Sequence, residues 1–282
     1  MIQANDKDEL RVVMRGFRAN DESTAFVPTL GNLHEGHLSL VRKAKEVADR
    51  VVVSIFINPT QFDRAEDLAA YPRTVDADLA LLKKEGVDLV FLPHADEMYP
   101  KGNATRVEVD GISDILEGDS RPGHFSGVAT IVAKLFNLVQ PDISIFGEKD
   151  YQQLMLIRRM QQDLDFGIDI ISAPTAREPS GLAMSSRNHY LDEHQRNQIA
   201  PGLYAEMCQI RDSILSGDRE YSKLQLASAG NLNRQGFRTD YIEVRNANDL
   251  SVAQSNDQEL VILVSAWLGK ARLIDNLTVN LS

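Results

Sequence analysis

Through roughly the first 175 residues, short apolar runs alternate with stretches in which apolar positions recur at helical spacing. Residues 24–27 read as a short buried strand, and residues 38–45 read as an amphipathic helix behind it. Residues 50–57 form a second strand, apolar on both faces, as a central position in a parallel sheet requires. A helix over 74–85 stops at Gly86 and leads to a third strand at 88–93. Helical spacing over 127–139 precedes a fourth strand at 142–146, another helix opens near Lys149, and residues 168–173 close the sheet. Strands separated by crossover helices predict an α/β chain with a Rossmann-like, doubly wound parallel sheet over residues 1–175.

Beyond Pro174 the texture changes. A Gly/Ser-rich stretch leads into two long polar helical patterns, at 193–215 and 221–235, and then short strands at 239–244, 259–264 and 271–274. This predicts a second, smaller α+β domain over residues 176–282. No internal repeat or low-complexity tract is visible.

The length, 282 residues, is ample for a buried core. No apolar run approaches the ~18 to 20 residues that would span a bilayer. The N-terminal residues lack the basic-then-apolar pattern of a secretory signal, so the expected compartment is the cytoplasm. Cys208 is the single cysteine, which excludes an intrachain disulfide, and its helical context reads as core filler. The formal net charge of −11, with no basic stripe, argues against a nucleic-acid partner. It does not exclude a small anionic substrate, because a local cluster of glycines and cations overrides the global field.

The strongest such cluster is Pro28-Thr29-Leu30-Gly31-Asn32-Leu33-His34-Glu35-Gly36-His37, where the first strand ends and a helix begins. Gly31 and Gly36 let backbone N–H groups approach an anion, the helix start adds about half a positive charge, and residues three apart share a face. His34 and His37 would then both point at a bound phosphate. The competing reading is a capping turn with two solvated histidines. The doubly wound fold places ligands at the carboxyl ends of strands, and two further polar clusters fall at such ends.

One cluster is Asn58-Pro59-Thr60-Gln61-Phe62, where neutral amides suit a hydroxylated carboxylic acid; the alternative is a plain turn around Pro59. The other is Gly147-Glu148-Lys149-Asp150. A lysine at a helix start is poorly suited to the dipole unless it serves an anion, and the alternative is a surface lysine paired with Glu148 or Asp150. Asp150 is placed to hold a ribose hydroxyl or to orient the lysine, with Gln153 one turn along. Met184-Ser185-Ser186-Arg187 follows the flexible lead-in Pro179-Ser180-Gly181 and reads either as a phosphate clamp or as a helix cap with a surface arginine. His124, in Arg121-Pro122-Gly123-His124-Phe125, either caps a helix or lines the cleft. No spacing suggests a dedicated protein metal cage, so Mg²⁺ would arrive on ATP, held mostly by phosphates and water.

Taken together, these residues closely resemble the pantoate–β-alanine ligase family of the HxGH nucleotidyltransferase superfamily, over essentially the whole chain. The likeness runs through residues 28–37, 56–62, 71–74, 121–125, 146–153, 184–188 and 266–275. It implies a homodimeric cytoplasmic enzyme that makes pantoyl adenylate from ATP and pantoate, then pantothenate, AMP and pyrophosphate on attack by β-alanine. The first domain would bind nucleotide and pantoate, and the second would act as a lid. Carried over by motif, Leu30 to His37, Gly147 to Asp150, Ala176 and Met184 to Arg187 would contact ATP. Gln61 and Gln153 would contact pantoate, with β-alanine also near Gln61. His37 would be a proton donor to the leaving pyrophosphate, alongside His34 and Lys149. Position 30 is Leu where the family usually has Met, a swap of similar volume.

A nucleotidyltransferase that stops at the nucleotidyl product would share the histidine pair but needs no amine pocket. A tRNA synthetase is disfavoured by size and acidity. A non-catalytic ATP-binding module has no need for His37, Lys149 and Arg187 together.

Overall fold

Val51, Val52 and Val53 are stiff β-branched residues and all three are buried, which is what a central strand needs. Around them the computed structural model, which describes residues 1–281, builds a six-stranded parallel sheet. Its elements are β1 (Ile2–Ala4), α1 (Lys7–Ala19), β2 (Thr24–Thr29), α2 (Glu35–Val47), β3 (Arg50–Ile55), α3 (Ala65–Ala70), α4 (Val75–Glu85), β4 (Leu89–Phe91), α5 (Ala95–Met98), α6 (Glu117–Ser120), α7 (His124–Val139), β5 (Ile143–Gly147), α8 (Tyr151–Asp163) and β6 (Asp169–Ala173). The strand order is β1-β4-β3-β2-β5-β6, so the winding reverses between β2 and β5. The doubly wound parallel sheet expected from periodicity is therefore the fold observed.

Alternate residues of β2 serve opposite faces of this sheet. Phe26 packs with Leu10, Met14 and Phe17 of α1 and with the apolar face of α7, whereas Ala25 and Val27 pack with Val41 and Ala44 of α2 and Leu82 of α4. Gly86 ends α4 in the left-handed conformation at φ 76°, as the stop at that residue implied. Periodicity gave no counterpart of β1 and α1. Yet α1 has a strong start signal: the Asp6 carboxylate accepts from the N–H groups of Asp8 and Glu9 at 3.0 and 2.8 Å.

Contacts divide the chain into two units, the second comprising Glu148–Tyr151 and the chain from Pro174 onward. This unit holds α9 (Gly202–Leu215), α10 (Tyr221–Arg234) and an antiparallel sheet of β7 (Arg238–Asn246), β8 (Glu259–Leu268) and β9 (Ala271–Asn280), in that order. Three expectations are corrected here. The single helix over 193–215 is a π-helical turn at Gln195–Ile199 followed by α9, because Pro201 interrupts the hydrogen-bond ladder and Gly202 passes so close to Gln235 that a Cβ would meet its Oε1 at 2.1 Å. The last strand does not stop at Ile274. It continues through the buried pair Asp275 and Asn276 to Asn280, a polar interruption that breaks the apolar pattern but not the ladder. Cys208 is half-buried on α9 rather than core filler. Among the described residues, no helix is long and apolar enough to cross a membrane.

Candidate active site

In the first unit, the turn after β2 is held from four sides. The Gly31 N–H donates to the Thr29 hydroxyl oxygen at 3.2 Å, and that hydroxyl donates to the Ser54 carbonyl at 2.8 Å. Gly31 sits at φ 81°, a conformation that strains any other L residue, and an added Cβ would also crowd the Ile55 side chain at 3.0 Å. The N–H groups of Asn32 and Leu33 donate to opposite oxygens of the buried Asp78 at 2.9 and 2.8 Å, and the Thr74 hydroxyl donates to the same carboxylate at 3.1 Å.

His34 is the N-cap of α2. Its Nδ1 accepts from the Gly36 N–H at 3.1 Å, and the His37 Nδ1 accepts from the His34 N–H at 3.2 Å, a capping box made of imidazoles. The two rings lie against each other with centroids 4.1 Å apart, tilted by 45°. The competing readings of this pair therefore merge: the histidines do cap the helix, and the cap fixes their chemistry. With Nδ1 an acceptor in each, the neutral form of each ring carries its proton on Nε2. Leu30 is half-buried, whereas Glu35 is exposed and pairs with Arg42 on the surface of α2.

The loop after β3 sorts its two amides. Asn58 is fully buried and consumed by the scaffold: its Nδ2 donates to Gln61 Oε1 at 3.0 Å and to the Gly127 carbonyl at 3.1 Å, and its Oδ1 accepts from Thr60 at 3.0 Å and Tyr99 at 2.8 Å. Asn58 is thus a brace, not an acid ligand. Burial raises the Tyr99 hydroxyl above its ordinary pKa, which keeps it a donor. With its Oε1 committed to Asn58, Gln61 presents its NH₂, a donor suited to carboxylate or hydroxyl oxygens. The 3-10 turn at Pro59–Gln61 lies so close to α7 that a Cβ on Gly127 would sit 2.3 Å from the Thr60 carbonyl oxygen. His124 does not cap α7, whose N-cap Gly123 makes no side-chain cap bond; it opens the helix with its Nδ1 2.8 Å from the Gln61 carbonyl and its Nε2 3.2 Å from Arg121. On α8, Gln153 is half-buried and makes no side-chain hydrogen bond among the described residues, whereas its buried neighbour Gln152 donates to the carbonyls of Ile112 and Ile115 at 2.7 and 2.8 Å.

In the second unit, Glu148–Asp150 makes one 3-10 turn. Lys149 lies 3.8 Å from the Asp150 carboxylate, with its side chain 17% exposed, so the pairing foreseen as the bland alternative does occur. The Glu148 and Lys149 carbonyls accept from one side-chain amide, Asn276 Nδ2, at 2.7 and 2.9 Å. Asp275, only 4% exposed, receives a bidentate Arg177 at 2.6 and 2.9 Å. Burial pushes the Asp275 carboxyl up, against the pull of that guanidinium.

Residues 179–181 are not a flexible lead-in. They close a hairpin in which Arg177 bridges Ala183, the Met184 N–H donates to the Ala176 carbonyl at 2.9 Å, and Arg177 donates to the Gly181 carbonyl at 3.0 Å. Ala176 and Met184 are brought side by side in this way. Ser185 caps the following turn by accepting from the Arg187 N–H at 3.2 Å, Ser186 is half-buried, and the Arg187 side chain is exposed. Lys149, Ser185, Arg187 and Asp275 line one small cavity with Arg272.

Two anchors lie outside the motifs. Asp78 stands within the apolar stripe Val75, Leu79, Leu82 of α4, and a carboxylate in that stripe is the signal that could have found it. Asn276 carries no local signal, because its partners lie 127 and 128 positions away. Among the described residues, no group of three or more His, Cys, Asp or Glu could hold a metal ion.

Comparison with known proteins supplies the family. The model of the pantoate-beta-alanine ligase family matches residues 3–278. The chain is 52% identical to the pantothenate synthetase of Thioalkalivibrio sulfidiphilus, over all of this chain and 99% of that one. The crystal structure of pantothenate synthetase from Thermus thermophilus superposes with a TM-score of 0.91 at 43% identity, covering 98% of this chain and 99% of the other. A pantoate-beta-alanine ligase from Francisella tularensis, complexed with beta-gamma ATP and β-alanine, matches with a TM-score of 0.78 at 37% identity, over 98% of this chain and 97% of that one. A sheet, a histidine turn and a full-length match of this kind lead to one conclusion: the chain belongs to the pantoate–β-alanine ligase family.

Proposed function

We propose that this protein joins pantoate and β-alanine to give pantothenate, using ATP through a pantoyl adenylate. The observation that carries this reading is the imidazole capping box, which fixes Nδ1 of each ring as an acceptor and so assigns the proton of the neutral ring to Nε2, the atom that this reading turns toward phosphate oxygens. A pantoate carboxylate oxygen attacks the α-phosphorus in line, the bond between the α-phosphorus and the bridging oxygen breaks, and pyrophosphate leaves. The β-alanine nitrogen then attacks the adenylated carbonyl carbon, the bond to AMP breaks, and the amine proton passes to solvent.

No protein nucleophile is required, so the residues act by positioning and charge stabilisation. His37 donates to the leaving pyrophosphate and His34 to the α/β oxygens, while Lys149 offsets the negative charge that grows there. The backbone from Leu30 to His37, with Gly147 to Asp150, Ala176 and Met184 to Arg187, forms the remaining ATP contacts. The Gln61 NH₂ and Gln153 hold pantoate, with β-alanine beside Gln61. The donor set fits Mg²⁺ only as a companion of the nucleotide, since no protein carboxylate cluster is present among the described residues. When bound, the ion neutralises triphosphate charge. The same reading makes the enzyme a cytoplasmic homodimer, a state that analytical ultracentrifugation measures directly.

The deciding experiment is isotopic exchange between pyrophosphate and ATP. Exchange should require pantoate and Mg²⁺ but not β-alanine, and AMP should appear only when the amine is added. Exchange that needs β-alanine, or ADP as product, overturns the adenylate route.

A further inference from the structure

We propose that Asn276 is a positioning residue for Lys149, setting the direction of its ammonium by clamping two consecutive peptide carbonyls of its turn. The inference rests on the proposed role of Lys149. Asn276 is 6% exposed and lies in β9, paired with Leu263 of β8. Its Nδ2 spends both hydrogens on one short turn, at 2.7 Å to Glu148 and 2.9 Å to Lys149. A side-chain amide is the smallest group that supplies two such donors from one atom.

The clamp is itself held rigid. The Asn276 N–H donates to Asp275 Oδ1 at 2.8 Å, Asp275 takes the bidentate Arg177, and Arg177 also donates to the Asn276 carbonyl at 3.3 Å. The guanidinium rests on the Tyr204 ring, 3.8 Å from its centroid. A charged pair with this many fixed contacts, buried behind a residue that touches only backbone, points to the turn as the thing being aimed.

The test uses the full-length enzyme and pyrophosphate exchange with Asn276→Ala, Lys149→Ala and the double variant, together with Asn276→Asp. The last keeps the shape but replaces two donors by an acceptor facing two carbonyls. Asn276→Ala should lower the exchange rate about 10- to 100-fold, the scale of a misplacement near 1 Å, and Asn276→Asp at least as much. In the Lys149→Ala background, Asn276→Ala should cost less than about twofold more, because a clamp has nothing left to aim. A merely structural role would make the two losses multiply.

Multiplying losses, or an Asn276→Ala enzyme within twofold of wild type beside a crippled Lys149→Ala, overturns the inference. A Lys149→Ala enzyme with native exchange overturns the underlying reading instead. If Asn276→Ala does not fold, Asn276→Asp and its double variant with Lys149→Ala decide by the same criterion.

Discussion

The histidine turn and the lysine turn are both short polar connections at the start of a helix, yet they are built in opposite ways. The histidine turn is capped from within: its caps come from within three residues, and among its distant supports Asp78 lies 45 and 46 positions away. The lysine turn takes its support from Asn276, 127 positions downstream. A locally encoded turn carries its chemistry in its own motif. A remotely held turn keeps half of its specification elsewhere in the chain.

The largest effect should come from breaking the local device. His37→Ala removes both a cap and the proposed pyrophosphate donor, and should lower turnover about 10²- to 10³-fold, roughly 3 to 4 kcal/mol in the barrier. AMP release at saturating substrates measures this, and near-native turnover would remove His37 from the mechanism.

Asp78→Ala tests the outer support of the same turn. It leaves the Asn32 and Leu33 N–H groups without their acceptor, which should destabilise the protein by roughly 1 to 3 kcal/mol in denaturant titration. Unchanged stability would mean that water replaces the carboxylate and that the turn needs no distant help at all.

Leu30→Met probes whether the turn tolerates side-chain exchange when its backbone is left alone. Volume-conserving swaps typically cost less than about 1.5 kcal/mol, so catalytic efficiency should change by under about tenfold. A larger change would make this side chain a shaper of the nucleotide site.

The smallest effect concerns the surface brace of α2, where Arg42 joins Glu35 to Glu85 on α4. Hydrogen bonding to Arg42 is the main cause that holds Glu85 below the ordinary carboxylate range. A depressed carboxyl stabilises the fold above its unfolded-state pKa and loses that contribution as pH falls through the folded value. Arg42→Leu should therefore destabilise only slightly at neutral pH in denaturant titration, and the gap from wild type should close on acidification. A gap that widens in acid reverses the assignment.

The same contrast governs what can be read from the chain. Five of the six strands of the parallel sheet are legible because Val51 to Val53 and their counterparts are apolar runs, and the histidine turn is legible because its residues are adjacent. Periodicity ends the last strand at Ile274, since it takes Asp275 and Asn276 for loop residues, whereas the ladder continues through them. The division of labour between Asn58 and Gln61 is equally hidden, for both are neutral amides and only Gly127 and Tyr99 reveal which one is consumed. The start of α1 is a different case: Asp6 announces it, so capping reveals a helix that apolar spacing alone passes over.

The reach of the Asn276 clamp also orders the life of the chain. Ribosomes add about 5 to 20 residues per second, so the 127 positions between Lys149 and Asn276 correspond to roughly 6 to 25 s of synthesis. Early in that interval β6, the last strand of the parallel sheet, is completed, while the carbonyls of the lysine turn still wait for their donor. A nascent chain halted ahead of β9 thus holds every residue of the histidine turn but lacks the amide that donates to the carbonyls of the lysine turn.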